Sequence, residues 1–514
     1  MIESRVHKLL ADLDRIKWDV TYKGIIVGFL AGLLVTMYRL AIEFGTERAI
    51  EAYRFLRDNT SYIPFWILLI VLISYVSYRL MKFEPFAKGS GIPQVEGIVI
   101  LGMKMKWHTV LLVRYMVGFL TSFFGLSVGR EGPSIQIGAA GAQALAENTG
   151  KNKLEENYLI TAGASAGLSA AFNAPLSGIM FALEEVHRTF SPNILIAATT
   201  AALTADVVSK YFFGLTPVLS YVNVPQLPMK YYFWLLIMGV IAGTIGSIVN
   251  KGLLGVSTLY EKLPAFYRPL IALLIALPVG LFLPQVLGGG QNLIKLSENA
   301  EIGIALLLVY LVVKLLFTCF SFGSGIPGGI FMPILSIGAL TGCIFGQLMT
   351  NFGLPSEYIP AFCICAMAGV MSASVKAPVT SILLMAEMAG SLVHLLPVAT
   401  VAFVALLTSD LLKISPIYEV LLERMTGEKE VRVKKKSGAI IEVPVELGSE
   451  VAGKKVKEIT WPESILIVGL NRGNKEFVPN GNTKIIQGDY LIVLSSDQNF
   501  EAVNKSLNNI CRFH

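Results

Sequence analysis

The chain has 514 residues, 54% hydrophobic and 15% charged, with a formal net charge of +6. A soluble globular chain carries about 25% charged residues, so a water-soluble enzyme of this length is excluded, and no dense basic stripe interleaved with aromatics marks a nucleic-acid surface. The charge is also uneven: 23 of the 86 residues from Lys429 to His514 are charged, against 55 of the first 428, which predicts a membrane body followed by a tail of soluble composition.

In chain order, residues 1–22 come first. They place Arg5, Lys8, Arg15 and Lys17 among Leu9, Leu10, Leu13, Ile16 and Trp18, the pattern of an amphipathic helix. No apolar core with a small-residue cleavage site follows, so this is not a signal peptide, and the basic residues favour a cytoplasmic N-terminus. Apolar runs follow at roughly 24–42, 64–81, 109–128, 193–213, 231–250, 267–287, 302–322, 334–350 and 393–413, each near the ~20 residues that span a bilayer. Between them, segments rich in Gly and Pro at 132–147, 158–172, 175–186, 359–373 and 378–390 read as short or interrupted helices. Such helices are tolerated at membrane depth only where protein or a water-filled cavity surrounds the exposed backbone, which argues for a transporter or channel.

The body repeats. Asn173-Ala174-Pro175-Leu176-Ser177-Gly178-Ile179 resembles Lys376-Ala377-Pro378-Val379-Thr380-Ser381-Ile382, and in each copy a glutamate, Glu184 or Glu387, follows the proline by nine residues. Ile137-Gly138-Ala139 likewise matches Ile337-Gly338-Ala339. Interrupted helices at matching positions of two halves point to a substrate site near the midplane. Three motifs supply candidates for it: Gly89-Ser90-Gly91-Ile92-Pro93, Gly129-Arg130-Glu131-Gly132-Pro133 and Gly328-Gly329-Ile330-Phe331-Met332-Pro333. Glycines ahead of a proline and an apolar stretch suit a loop opening a helix. Several helix starts brought together offer unpaired N–H groups and a partial positive charge to an anion, and dipoles can release a small anion that a buried Lys or Arg would hold. The five cysteines, including Cys363 and Cys365 in one apolar run, read as core thiols. His108, His187 and His394 do not cluster, and no metal or other cofactor is expected.

The spellings GSGIP, GREGP and GGIFMP, in that order, resemble the CLC family of chloride channels and chloride/proton exchangers over roughly residues 20–425. The resemblance implies an all-α polytopic membrane protein of two inverted repeats of broken, tilted helices, about 23–225 and 226–425. It also implies a homodimer with one pore per subunit and a place in the plasma (inner) membrane among its lipids. The chloride site so implied comprises Ser90, Gly129, Arg130, Glu131, Gly329, Ile330, Phe331 and Tyr418. Ser90, where the family's chloride members have serine, can donate its hydroxyl proton even if it also serves as the N-cap of its own helix. Ile330 and Phe331 would offer backbone N–H groups and Tyr418 a second hydroxyl. Glu131 matches the gating glutamate, whose carboxylate takes the anion's place until a proton neutralises it; Arg130 beside it reads as an ion-paired structural residue. Glu185 matches the inner proton-transfer glutamate of the exchangers, and an intramembrane carboxylate is a functional candidate in its own right. Glu387 has no such role in the family and reads as structural.

In the tail, residues 438–445, 465–470, 476–478 and 489–494 read as strands, and Ser449–Ile459 and Asp497–Leu507 as helices. This order, with Ile486-Gln487-Gly488-Asp489 before the last strand, resembles the TrkA-C half of RCK domains. It implies a small α+β cytosolic regulatory domain over 430–514, of a family whose modules dimerise and in some members bind a small-molecule ligand. Lys434, Lys435 and Lys436 read as skimming lipid head groups or staying solvated. The function expected is chloride/proton antiport, not enzymatic, with a passive voltage- or pH-gated chloride channel as the alternative; uphill proton movement separates them. A serine hydrolase built on Ser324 lacks a paired base, and Ser90 argues against fluoride export.

Overall fold

The computed structural model describes residues 2–149, 153–188, 192–219, 221, 224–298, 302–427, 439–445, 449–462, 465–472, 475–495, 506–507 and 509–511. The chain divides into two units, Met1–Leu422 and Glu423–His514.

The first unit is helical. In chain order it contains α1 (Ile2–Asp58), α2 (Ile63–Phe83), α3 (Ile92–Leu101), α4 (Trp107–Ser122), α5 (Glu131–Thr149), α6 (Lys153–Phe172), α7 (Pro175–Phe181) and α8 (Pro192–Phe213). The second half follows with α9 (Tyr232–Glu261), α10 (Tyr267–Phe282), α11 (Gln291–Glu298), α12 (Ile304–Gly323), α13 (Phe331–Thr350), α14 (Ile359–Val375), α15 (Pro378–Met388) and α16 (Leu395–Leu411), and α17 (Ile417–Thr426) begins in this unit and carries the chain past Leu422. Among the described residues seven helical stretches are long and apolar enough to cross a membrane. The two halves pack alike: α5 lies on α6 as α13 lies on α14, α6 on α8 as α14 on α16, and α1 on α8 as α9 on α16. Their polar contacts repeat too. Ser169 donates to the Ala202 carbonyl at 2.8 Å and Ser372 to that of Ala402 at 3.0 Å, helix-to-helix bonds of the kind that hold bundles together where lipid replaces water.

Helix α1 runs unbroken from Ile2 to Asp58, through residues 1–22 and the first apolar run. One expectation for this unit changes. The segments 132–147, 158–172 and 359–373 are continuous helices of 19, 20 and 17 residues rather than short or interrupted ones. Their glycines serve close packing instead. A Cβ on Gly138 would stand 2.2 Å from the Gly163 carbonyl oxygen, and one on Gly338 would stand 2.6 Å from the Met367 Cα. Of the five segments only those at 175–186 and 378–390 are short, as α7, which runs into a π-turn at Ala182–Val186, and α15. These two meet between the halves and cap each other: Glu387 accepts the Leu176 and Ser177 N–H groups at 2.8 Å, at the start of α7, and Glu184 accepts those of Val379 at 3.3 Å and Thr380 at 2.9 Å, at the start of α15.

The second unit carries β1 (Ala439–Pro444), β2 (Ile465–Arg472), β3 (Lys475–Phe477) and β4 (Asp489–Ser495) in one antiparallel sheet of order β1-β4-β2-β3. Val443, Leu470, Leu491, Val493, Leu507 and Cys511 form its core. The helix expected over Ser449–Ile459 is instead a run of turns with one 3-10 turn, Val456–Glu458. The backbone there is spent on residues 481–485: Gly453 N–H donates to the Ile485 carbonyl at 2.8 Å and Val456 N–H to that of Thr483 at 3.0 Å, bonds that an α-helix would have to give up. Residues 497–505 of the last expected helix, and Lys434–Lys436, lie outside the described residues.

Candidate functional site

Each glycine motif opens a helix as its spelling suggests, and backbone bonds tie the three loops together. Gly129 N–H donates to the Gly329 carbonyl at 2.7 Å and Gly329 N–H returns to that of Gly129 at 2.6 Å, so the loops before α5 and α13 form a two-residue antiparallel bridge between the halves. The loop before α3 joins them, with Gly89 N–H donating to the Gly325 carbonyl at 2.9 Å and Gly328 N–H to that of Gly89 at 3.2 Å. Here the glycines are obligatory. A Cβ on Gly129 would stand 1.9 Å from Glu131 Oε2, and one on Gly329 2.9 Å from the same oxygen. The Glu131 carboxyl therefore rests directly on the bare backbone of both loops.

Glu131 is the first residue of α5 and fully buried. The amides of Glu131, Met332 and Arg130 act on its carboxylate, but neither oxygen has a partner at hydrogen-bond geometry. Ser90 lies against the same turn, its hydroxyl 2.6 Å from where a Cβ of Gly132 would be. Gly91, not Ser90, is the N-cap of α3. The buried Ser90 hydroxyl thus does no capping and has no partner, whereas the sequence allowed it to be spent on its own helix. Tyr418, second residue of α17, is also fully buried with an unpartnered hydroxyl. The Ser90 hydroxyl and the charges of Glu185 and Glu131 all act on it. Its ring meets that of Phe331, centroids 6.1 Å apart. Ser90, Glu131, Phe331 and Tyr418, drawn from four separate stretches of sequence, thus come together. A cavity of about 320 Å³ reaches Glu131 along a wall that includes Glu43, Arg130, Lys295 and Met332. Arg130 is ion-paired with Glu43 through Nη1.

Glu185 sits apart, in the π-turn after α7, 5% exposed. Its nearest cation is Arg188, whose Nη2 lies 3.9 Å from Glu185 Oε1 and which also pairs with the buried Glu96 of α3. Among the described residues of the body, Glu96, Arg114 and Lys314 are fully buried charged residues that went unread in the sequence, although each interrupts an apolar segment, the signal that singled out Glu185. Arg114 is the most consequential. Fully buried on α4, it donates to the carbonyls of Gly89 at 2.6 Å and Ser90 at 3.2 Å and also bonds Gln136. It thereby fixes the loop that aims Ser90. Lys314 does likewise for the Val286 and Gly288 carbonyls, at 3.0 and 2.7 Å. Among the described residues no group of His, Cys, Asp and Glu is arranged to hold a metal ion.

Comparison with known proteins places this geometry. The family described as Voltage gated chloride channel matches residues 67–410, and the TrkA-C domain matches residues 440–508. The chain is 31% identical to the H(+)/Cl(-) exchange transporter ClcA of Salmonella gallinarum over 444 residues, which cover 83% of this chain and 93% of that protein. Among solved structures it is similar to a slow cyanobacterial Cl-/H+ antiporter, at TM-score 0.75 and 28% identity over 79% of this chain and 97% of the other. It also resembles a CLC-type fluoride/proton antiporter, at TM-score 0.65 and 25% identity over 78% and 96%.

Proposed function

This chain belongs to the voltage-gated chloride channel family, CLC, and from that membership we propose that it exchanges chloride for protons across a membrane, with Ser90, Glu131, Tyr418 and Glu185 as the working side chains. One observation carries the reading: Ser90 Oγ, the Tyr418 hydroxyl and both Glu131 carboxylate oxygens are buried together without partners. Each such group costs roughly 1–3 kcal/mol, and several at one place fit a site whose missing partner is a transported ion.

Chloride held there would accept hydrogen bonds from the Ser90 and Tyr418 hydroxyls and from the backbone N–H groups of Ile330 and Phe331. The neighbouring turns of Gly129, Arg130 and Gly329 supply dipoles rather than a full charge, so the ion can leave. The carboxylate of Glu131 lies where an anion would, against glycine backbone. Protonation removes its charge and lets it yield the place to chloride, which links occupancy by one ion to the other. Converging N–H dipoles repel a proton approaching through the anion site. Glu185 offers a separate relay, with water bridging the interval to Glu131. No cofactor enters this cycle and no substrate is chemically transformed. The working unit we infer is a homodimer with a pore in each subunit, in the plasma membrane with both termini cytoplasmic. Residues 430–514 serve as a regulatory module able to take a small ligand.

The test is reconstitution in liposomes under a chloride gradient. The wild type drives protons uphill. Glu131→Gln, a mimic of the protonated acid, still passes chloride but loses pH dependence and proton coupling, and Glu185→Gln passes chloride without protons. A wild type that moves chloride with no uphill proton movement, and a Glu185→Gln variant indistinguishable from it, would make the protein a passive channel.

A further inference from the structure

A second cavity, of about 210 Å³, lies where α2 ends, α10 begins and α12 ends, and its wall includes Lys82, Lys88, Arg268, Ser324 and Gly325. Among the described residues three cations line it and no carboxylate does. The nearest acid in sequence, Glu84, is spent elsewhere: its Oε2 accepts from the Thr109 hydroxyl at 2.5 Å and its Oε1 from Phe86 N–H at 3.2 Å. Arg268 is held in place by the carbonyls of Leu263 at 3.2 Å and Glu261 at 3.1 Å, and its charge acts on Lys88. Like charges gathered from three elements without an acid among them repel one another unless an anion joins them. The volume suits a phosphate group with its waters better than a single halide.

The surroundings are those of a bilayer interface. Helix α2 is the least buried of the candidate spans, 17%, and exposes Phe65, Leu68, Leu72 and Phe83. Around the cavity Tyr75 and Tyr78 stack edge-on against Phe266, the aromatic composition of a headgroup belt. Basic pockets between spanning helices at that level take anionic head groups.

We propose that this cavity binds a phosphate-bearing anion, either a phospholipid headgroup or free phosphate, and that binding steadies the loop carrying Ser90. The link is covalent and short. Lys88 lies two residues before Ser90, and its own carbonyl is held by Gln94 Nε2 at 2.6 Å. Gly325, in the cavity wall, accepts from Gly89 N–H. A phosphate drawing Lys88 and Arg268 together holds this loop in the geometry that presents the Ser90 hydroxyl, so binding raises anion transport. That second clause rests on the chloride reading; the binding itself does not.

Binding is measured first, by native mass spectrometry of the delipidated full-length protein titrated with phosphatidylglycerol, phosphatidylcholine or inorganic phosphate. Phosphatidylglycerol adducts should exceed those of phosphatidylcholine. In the pair Lys82→Gln and Arg268→Gln they should weaken about 30-fold, roughly a factor of five for each charge. A control pair removing the same charge outside the cavity, Lys104→Gln and Lys251→Gln, should bind as wild type. Displacement of the lipid by inorganic phosphate would identify a soluble ligand, and resistance to it a lipid; both support the site. Equal lipid binding by the cavity and control pairs would overturn it. Chloride flux is then compared in vesicles of phosphatidylcholine with and without phosphatidylglycerol. The wild type should speed up severalfold and the cavity pair should not, while an equal response in both would overturn the coupling to Ser90 and leave the exchange reading untouched.

Discussion

In the proposed site Ser90 offers the anion a hydrogen bond, and Arg114 holds the backbone that carries Ser90. Replacing Ser90 by Pro removes the donor, and the expected outcome is a shift of preference from chloride toward nitrate, read as relative flux in liposomes. Replacing Arg114 by Met takes the Arg114 donor from the Ser90 carbonyl and leaves the Gly89 carbonyl only that of Gly328 N–H. At about 1–3 kcal/mol for each such group, chloride binding should weaken tenfold or more by calorimetry. Arg114→Lys, which keeps the charge but lacks the planar guanidinium that reaches Gln136 as well as the two carbonyls, should fall between. Cys511, in the core of the tail, shows how burial sets reactivity. It pushes the thiol up to about 11, so the group stays protonated at neutral pH. A maleimide should label it in the folded protein only as pH rises toward that value, and rapid labelling at pH 7 would contradict its burial. Ser90, Glu131 and Tyr418 could be read from motif spelling because each stands beside Gly or Pro punctuation. Arg114 could not, because its partners are carbonyls, which every residue has.

At the scale of elements, α7 and α15 carry the most specific device. Like any helix, each leaves the N–H groups of its first turn without intrahelical partners, and each is capped by a glutamate of the other half. The nine-residue interval from Pro175 to Glu184 and from Pro378 to Glu387 was visible as a repeat. Its meaning was not, since each glutamate serves the other copy rather than its own. Glu387→Ala should cost about 1–2 kcal/mol, as loss of a helix cap does, and lower the melting temperature of the full chain. Because α7 leads straight into the π-turn that holds Glu185, proton coupling should suffer more than chloride flux. Equal losses in both would reduce Glu387 to a stabilising role. The tail offers the complementary lesson. Ser449–Ile459 has helical spacing but is turned aside by bonds to residues 481–485, a tertiary override of a weak local preference.

For the whole molecule, the division at Leu422 and Glu423 separates a body built to face lipid from a unit with its own apolar core. Deleting residues 430–514 should leave chloride flux in liposomes intact, with altered activation. Complete loss of flux from a folded, dimeric truncation would make the tail part of the transport machinery. Inside the tail, buried Asp489 is held by a two-bond pair with Arg472, both at 2.8 Å. Since Arg472 is 39% exposed in its side chain, water can partly replace it, and Arg472→Ala should destabilise this unit by about 1–3 kcal/mol. Faster amide exchange in β2 and β4 of the full chain, with the body unchanged, is the expected readout.

The sequence by itself determined what is local along the chain: where apolar segments lie, which motifs open helices, that the body has two halves, and that a charged tail of strands follows. Hydropathy, helix starts and turn residues act within a few residues of each other, so they survive reading in one dimension. Only the tertiary structure decided whether Gly138 or Gly338 breaks a helix or admits a neighbour, which helix Glu184 and Glu387 cap, and that Arg114 stands behind Ser90. It also decided that the Glu131 carboxyl lies on two glycine loops 200 residues apart in the chain. These are contacts between distant segments, and their physical basis, close approach and the satisfaction of buried polar groups, exists only once the halves have packed.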